Sequence, residues 1–154
     1  MEKYTTYYSS PIGLLEIQGT EEGIHSISFQ EKECTKKAKI PSCLQKCVSQ
    51  MDEYFHKKRK EFSIPFVLEG SDFQKQVWGE LSKIPYGKTV SYKEIAIALK
   101  NEQAFRAVGG ANGKNPMPIL IPCHRVVSHN GNLGGYSCGI WRKKWLLSHE
   151  GIDL

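Results

Sequence analysis

The sequence predicts an α+β protein in two parts: a small strand-rich α/β N-terminal lobe over residues 1–70 and a mostly helical C-terminal domain over residues 71–154. Strand-like segments alternate with turns in the first third of the chain, and helical spacing of apolar residues begins at Ser71. Charge divides the chain at the same point. Residues 1–70 hold 10 Lys+Arg and 10 Asp+Glu, whereas residues 71–154 hold 11 and 6, so the whole net charge of +5 lies in the second half. This bias indicates a polyanionic partner such as nucleic acid, although the same charge also serves solubility.

Composition excludes several classes of protein. With 154 residues, 40% hydrophobic and 24% charged, the chain is expected to be an ordinary soluble globular protein. Its longest apolar runs are only a few residues, too short for a membrane span, and its first residues lack the apolar core of a secretory signal. Five cysteines, an odd number with no familiar disulfide spacing, favour free thiols in a reducing, intracellular setting.

The elements of the N-terminal lobe follow from its alternating pattern. Three segments rich in β-branched, aromatic and aliphatic residues are predicted as strands: Lys3–Ser9, Gly13–Gln18 and Gly23–Phe29. An exposed loop is predicted at Glu31–Lys39, followed by a helix at Pro41–Lys57, where apolar residues recur near helical spacing. One more strand is predicted at Phe62–Phe66.

The C-terminal domain begins with a helix capped by Ser71 or Asp72. A second helix is predicted from about Ser91, with Glu94 completing its cap. After a short turn at residues 101–103, a third helix is expected over Ala104–Gly113. Two helices joined by a short turn form the helix-turn-helix arrangement, which many proteins possess without touching DNA.

The third helix contains two adjacent glycines, Gly109 and Gly110. Each costs about 0.5–1 kcal/mol relative to alanine inside a helix, so a surface without side chains must be useful here. Either another helix packs tightly against it or DNA approaches closely. Arg106, at the start of this bare surface, favours DNA.

The segment Asn115–Val127 places Cys123 beside His124 and Arg125, after a short apolar run bracketed by prolines. A buried cysteine is commonly an inert core residue, but positive neighbours favour the nucleophilic thiolate. Adjacent side chains of a strand point to opposite faces, so Cys123 is expected at a turn or a helix start. Glu150 offers a carboxylate to orient His124 in a Cys-His-Glu relay.

These motifs together resemble the O6-alkylguanine-DNA alkyltransferase family. The resemblance rests on Pro122-Cys123-His124-Arg125, on residues 106–110 and on the segments 134–137 and 144–151, and it covers essentially residues 71–151. The first 70 residues match only in length and in strand-rich character, and the resemblance implies that they form a ribonuclease-H-like lobe. It also implies a DNA repair protein that docks its helix-turn-helix in the minor groove of double-stranded DNA. Such a protein flips O6-alkylguanine, mainly O6-methylguanine, out of the duplex and transfers the alkyl group irreversibly to its own Cys123.

The resemblance assigns roles residue by residue. In catalysis, Cys123 is expected to accept the alkyl group, and His124 to act as the general base, oriented by Glu150. Asn115 is expected to brace the turn that carries the cysteine, and Tyr92 to donate a proton. DNA binding is expected from the arginine finger, the small residues beside it and the tyrosine that helps to rotate the nucleotide: Arg106, Ala107, Gly110, Ala111 and Tyr92. The substrate pocket is expected to be formed by Cys123 with Val126, Tyr136 and Ser137.

Two positions depart from the usual family pattern, Phe105 beside the arginine finger and Cys138 beside the pocket loop. Phe105 is expected to pack beneath its helix or to act as an extra wedge, and Cys138 to narrow the pocket. Cys34, Cys43 and Cys47 with His56 lack the paired spacing of a zinc site, so no metal is expected.

No cofactor is expected either, and the protein is expected to be a monomer in solution, cytoplasmic or, in a eukaryote, nuclear. Two other functions remain open from the residues alone. One is a non-catalytic sensor that binds and flags the damaged base. The other is a Cys-His hydrolase that acts on a small ester or amide.

Overall fold

A computed structural model describes residues 1–31 and 38–154 and divides the chain into two compact units, Met1–Glu69 and Gly70–Leu154. The strand-rich first unit and mostly helical second unit agree with the predicted α+β class. Within the described ranges, no helix is long and apolar enough to cross a membrane. Most of the predicted loop Glu31–Lys39, including Cys34, lies outside the described residues.

The first unit contains an antiparallel three-stranded sheet in the order β1-β2-β3, formed by Tyr4–Ser10, Gly13–Thr20 and Gly23–Gln30. These bounds agree with the predicted strands to within two residues, because alternation between buried and exposed positions is a strong signal for a sheet with one covered face. Gly23, at the start of β3, requires glycine: its φ is +148°, and a Cβ there would lie 2.6 Å from the Pro65 carbonyl oxygen.

Helix α1, Ser42–Phe55, covers the sheet. The Cδ2 of Leu44 lies 3.1 Å from where a Cβ on Gly19 of β2 would stand, so helix and sheet are in close contact there. Tyr8 of β1 donates a hydrogen bond to Asp52 of α1 at 2.9 Å, and its ring stacks on that of Phe55. These contacts close the core of this unit between the sheet and α1.

The predicted strand Phe62–Phe66 is wrong. This segment forms only an isolated parallel bridge between Ile24 and Phe66, closed by two backbone hydrogen bonds around Ile24. Pro65 contributes its carbonyl oxygen to Ile24 at 3.0 Å but has no N–H to donate, which prevents a continuous ladder.

The second unit consists of four helices and a two-stranded parallel sheet. The helices are α2, α3, α4 and α5, formed by Asp72–Leu81, Tyr92–Ala98, Phe105–Gly113 and Ile140–His149. The strands are β4 and β5, formed by Val90–Ser91 and Val126–Val127.

The starts of α2 and α3 confirm the predicted caps. In each case the serine hydroxyl accepts a hydrogen bond from the third helical N–H, and the third side chain bonds back to the serine N–H. Ser71 pairs with Gln74 in this way, and Ser91 pairs with Glu94. Helices α3 and α4 are joined by residues 99–104, which include a 3₁₀ turn, Glu102–Ala104. On the other side of α4, Trp78 of α2 donates its indole N–H to the Ala111 carbonyl at 2.9 Å.

Candidate active site

A tightly folded loop between α4 and β5 carries Cys123. The amide of Asn115 donates to the Ile121 carbonyl at 2.7 Å and its oxygen accepts from the Met117 N–H at 3.0 Å, so one side chain closes the loop at two points. Ile119, only 1% exposed, has φ +77°, a rare conformation for a β-branched residue. Such backbone strain costs about 1–3 kcal/mol and is found mainly at functional sites.

Cys123 begins a 3₁₀ turn, Cys123–Arg125, as expected for a cysteine at a helix start. The preceding Pro122 has φ −81° and ψ 64°, close to an inverse γ-turn, and the Cys123 N–H donates to the Ile121 carbonyl at 2.8 Å. The cysteine backbone is therefore fixed on both sides.

The Cys123 thiol is buried, with 3% of the residue exposed. Burial raises its pKa to about 11, opposed by side-chain hydrogen bonds with Asn115 and Tyr136 and by the charge of Lys143. The thiol is therefore protonated near neutral pH, and a nucleophilic reaction requires a base to remove its proton.

His124, the next residue in the chain, meets Glu150 in the interior. The His124 Nε2 lies 2.6 Å from Glu150 Oε2, and both side chains have no exposed surface. Glu150 also accepts two hydrogen bonds from Arg125, Nε to Oε1 at 2.8 Å and Nη2 to Oε2 at 3.1 Å, and one from the Gly87 N–H at 3.1 Å. A forked arginine pair with further hydrogen bonds is the arrangement that permits a buried carboxylate.

Arg125 differs from the sequence expectation. We expected its charge to support the thiolate of Cys123, but its guanidinium binds Glu150 and donates to the Ile84 carbonyl at 2.7 Å. Lys143 is the basic side chain whose charge lowers the Cys123 pKa.

The charges of this cluster determine where His124 holds its proton. Burial would raise the pKa of Glu150, but hydrogen bonds and charges from His124 and Arg125 overcome it and hold that pKa far below its ordinary value. Burial lowers the pKa of His124, which favours the neutral ring. A neutral imidazole facing an ionised carboxylate must carry its proton on Nε2, so Nδ1 keeps the free lone pair. Nδ1 is buried without a hydrogen-bond partner among the described residues.

Lys143, on α5, is a site residue that the sequence reasoning missed. It has no exposed surface, and its Nζ donates to the Val126 carbonyl at 2.6 Å and to the Gly135 carbonyl at 3.0 Å. Burial lowers its pKa to about 8. Spacing offered a signal, because Lys143, Leu146 and Leu147 form the buried stripe of α5 at the i, i+3, i+4 positions of an amphipathic helix.

Tyr92, at the start of α3, lies near the ammonium group of Lys143. The Lys143 Nζ lies 6.0 Å from the centroid of the Tyr92 ring, and the Tyr92 hydroxyl lies 3.5 Å from the Gly135 carbonyl. Gly134 has φ +75°, and a Cβ there would stand 3.1 Å from the Tyr92 hydroxyl. Gly134 therefore lets the pocket loop approach the tyrosine.

The other predicted pocket residues lie on the same loops. Tyr136 is half-buried and Ser137 is exposed. The Tyr136 side chain lowers the pKa of the Cys123 thiol, and the Ser137 side chain lowers the pKa of the Cys138 thiol. The pKa of Cys138 is raised mainly by burial, and this thiol is close enough to Cys123 to raise the Cys123 pKa. The carbonyl oxygens of Val126 and Cys123 each accept one hydrogen bond already, from Lys143 and from the Val126 N–H.

Helix α4 divides the predicted DNA-binding residues between two faces. Arg106, Ala107 and Gly110 are exposed, and a Cβ at Gly110 would meet nothing within 4 Å. Tight packing of another helix is therefore not the reason for glycine at 110 among the described residues. Ala111 departs from the expectation of an open DNA-facing surface. It is 4% exposed and lies on the buried stripe with Val108, beneath Trp78.

Comparison with known proteins gives the same family over both units. Residues 3–68 match the family model described as 6-O-methylguanine DNA methyltransferase, ribonuclease-like domain, and residues 72–152 match that family's DNA binding domain. The chain is 40% identical over 155 residues to the methylated-DNA–protein-cysteine methyltransferase of Methanosarcina acetivorans, covering 96% of this chain and 98% of that protein.

Solved structures agree. The crystal structure of Mycobacterium tuberculosis O6-methylguanine methyltransferase is 39% identical, with a TM-score of 0.86, and the match covers 97% of this chain and 93% of that one. A crystal structure of Mycobacterium tuberculosis OGT in complex with DNA matches at 40% identity and a TM-score of 0.84, covering 94% and 90%. With family models matched over nearly all of its length, a buried Cys123 and a buried His–Glu–Arg cluster, this chain belongs to the 6-O-methylguanine DNA methyltransferase family.

Proposed function

We propose that this protein repairs DNA by transferring the alkyl group of O6-alkylguanine, mainly O6-methylguanine, to the sulfur of its own Cys123. The single observation that carries the proposal is the buried thiol of Cys123 followed in the chain by His124, whose ring is held by Glu150 at 2.6 Å. This arrangement supplies a nucleophile and a base in one buried site. The names of the relatives, methylated-DNA–protein-cysteine methyltransferases, support the same chemistry.

The transfer begins with deprotonation of the thiol. Nδ1 of His124 carries the free lone pair and accepts the Cys123 proton, through a water molecule in the family's mechanism. The resulting imidazolium is stabilised by Glu150, whose own charge is balanced by Arg125. The developing thiolate is stabilised by the Asn115 and Tyr136 side chains and by the charge of Lys143.

Sulfur then attacks the alkyl carbon, and the bond from that carbon to guanine O6 breaks with its electrons going to the base. The departing guanine requires a proton, which the Tyr92 hydroxyl supplies. Burial raises the pKa of Tyr92, so the hydroxyl retains its proton near neutral pH until the base needs it. The second lone pairs of the Cys123 and Val126 carbonyls accept from the exocyclic amine of guanine, and Tyr136 and Ser137 complete the pocket.

Recognition of the duplex is assigned to the exposed face of α4, which enters the minor groove. Ala107 and Gly110 present a surface without bulk, and Arg106 fills the space left by the flipped nucleotide. Ala111 supports this face from beneath, as part of the helix packing, because its side chain is buried. The two units are proposed as domains, residues 1–70 and 71–154, of a protein that acts as a monomer.

The product is a thioether, which has no ionisable proton and is a poor leaving group. Each molecule therefore acts once, with no cofactor. This distinguishes the proposed function from a hydrolase, which would turn over, and from a lesion sensor, which would leave the DNA unchanged.

The proposal is tested by measuring restored guanine, by chromatography of digested DNA, after mixing protein with an O6-methylguanine duplex. The wild type should restore at most one guanine per protein molecule. Cys123→Ala should bind the duplex and restore none, whereas the matched variant Cys43→Ala, which removes a thiol from the first unit, should retain full transfer. Equal transfer by both variants would contradict the assignment of Cys123.

A further inference from the structure

A second cavity, separate from the Cys123 site, opens beside the exposed end of α4. Its volume is about 580 Å³, and neither Cys123 nor His124 lines it. Its walls come from the starts of α3 and α4 and from the loop after β5, and include Tyr92, Gln103, Phe105, Gly109, Ser128 and His129. A cavity of this size takes an ordinary small organic group.

Tyr92 forms a wall common to this cavity and to the Cys123 pocket. On one side its ring faces Lys143, with Nζ 6.0 Å from the ring centroid, and its hydroxyl approaches Gly135. On the other side, the ring edge lies 3.9 Å from where a Cβ on Gly109 would stand. Gly109 therefore leaves the cavity open toward α4.

The chemistry of the lining favours a flat, uncharged aromatic group. Two aromatic rings, Tyr92 and Phe105, and the imidazole of His129 border it, together with the amides of Gln103 and Asn130. Lys93 is the one lysine or arginine among the described residues that line the cavity, and its ammonium pairs with Glu102 at 3.6 Å. A phosphate would find no unpaired lysine or arginine there, whereas a nucleobase would find aromatic surfaces for stacking and amides for its edge.

Phe105 is the platform of this cavity. It is 44% exposed, and it begins α4 next to Arg106. The Arg106 guanidinium carbon lies 5.9 Å from the Phe105 ring centroid, so the ring and the proposed finger lie side by side.

We propose that this cavity is a second nucleobase subsite, which receives the unmodified base next to the flipped nucleotide and stacks it on Phe105. The inference rests on the proposed function, because a strand that delivers one base to the Cys123 side of Tyr92 brings its neighbour to the other side. Apolar side chains inserted at base steps are a general device of proteins that bind the minor groove.

The test compares lesion duplexes that carry, next to O6-methylguanine, either a normal base or an abasic tetrahydrofuran residue. Base stacking on an aromatic side chain contributes about 1–3 kcal/mol, which corresponds to about 5- to 140-fold in affinity. Loss of the neighbouring base should therefore weaken wild-type binding about fivefold or more, on one side of the lesion only. In Phe105→Ala the same loss should change binding less than twofold, because the platform is gone. Phe105→Trp should restore the dependence, and Phe105→Leu should not.

Ile97→Ala is the matched control, because Ile97 is 53% exposed on α3 and does not line the cavity. It should keep the full dependence on the neighbouring base. Equal dependence in wild type and Phe105→Ala, or none in wild type, would overturn the subsite, and the second result would point to a sugar-phosphate contact instead. Methyl transfer to Cys123 is measured on the same samples. If the wild type transfers the methyl group but its binding does not depend on the neighbouring base, the subsite alone is contradicted. If the wild type transfers no methyl group, the proposed function is contradicted.

Discussion

Replacing Glu150 with glutamine tests whether the buried cluster both holds the second unit together and activates Cys123. The carboxylate accepts from His124, twice from Arg125 and once from the Gly87 N–H, at distances between 2.6 and 3.1 Å. In Glu150→Gln one oxygen becomes an NH₂ group that faces donors, and Arg125 is left buried without an anion. Removing one partner of a buried ion pair costs about 3–5 kcal/mol of unfolding free energy.

The matched control is Glu80→Gln, which breaks the pair with Lys83 at 2.9 Å in the same unit. Lys83 is 73% exposed, so this pair contributes less than about 1 kcal/mol. Urea unfolding of both variants at one pH measures the difference directly. A loss of about 3 kcal/mol or more for Glu150→Gln, beyond that of the control, is expected.

The same variant has a kinetic consequence. Without the carboxylate, His124 is no longer held with its proton on Nε2, and the Nδ1 lone pair is not reserved for the thiol. A general base contributes about 10²- to 10⁴-fold, so methyl transfer by the folded variant should slow by a factor in this range. The rate is measured under single-turnover conditions at a temperature where circular dichroism shows the variant folded. A Glu150→Gln protein that matches Glu80→Gln in stability and transfers at the wild-type rate would refute the reasoning.

The pH profile of transfer and substitutions at Lys143 and Arg106 test other parts of the site. Burial lowers the pKa of His124 below its ordinary value of 6.5. The single-turnover rate of methyl transfer should therefore stay constant as pH falls through 6.5 and decline only at lower pH, where the ring gains a proton. A decline that begins above pH 6.5 would contradict a buried neutral base. Lys143→Met should lower the free energy of unfolding, measured in urea, by about 1–3 kcal/mol for each carbonyl left unpaired. It should also raise the pKa of Cys123, measured by thiol titration. The control Lys144→Met removes an exposed lysine and should have neither effect. Arg106→Ala should slow transfer from duplex DNA at least tenfold yet react normally with free O6-methylguanine; full-rate duplex repair would exclude the finger role.

Much of the fold was predictable because its signals are local. The three strands follow from alternation, and the starts of α2 and α3 follow from their N-cap residues, Ser71 and Ser91. In each cap, a serine three residues before glutamine or glutamate satisfies free N–H groups of the helix end. The segment Phe62–Phe66 has the composition of a strand but not the pairing, since Pro65 cannot donate to a ladder. Strand pairing is a long-range property that composition does not determine.

The chemistry of the site was only partly accessible from the sequence. The relay of Cys123, His124 and Glu150 was predictable from the residues themselves, but the partner of Arg125 was not, because a residue's sequence neighbour need not be its spatial one. Lys143 lies in a basic run with the composition of a solvent-exposed helix, and only its position on the buried stripe distinguishes it from Lys144. Ala111 could have been placed by the same spacing, since Val108, Ala111 and Asn112 form the buried stripe of α4.

The most direct test of the central claim is an intact-protein mass spectrum after reaction with an excess of O6-methylguanine duplex, followed by peptide mapping. Transfer to Cys123 predicts a gain of one methyl group in place of hydrogen, located on the peptide that contains Cys123 and saturating at one per molecule. An unchanged mass with tight binding of the lesion, or restored guanine in excess over protein, would contradict irreversible transfer to this cysteine.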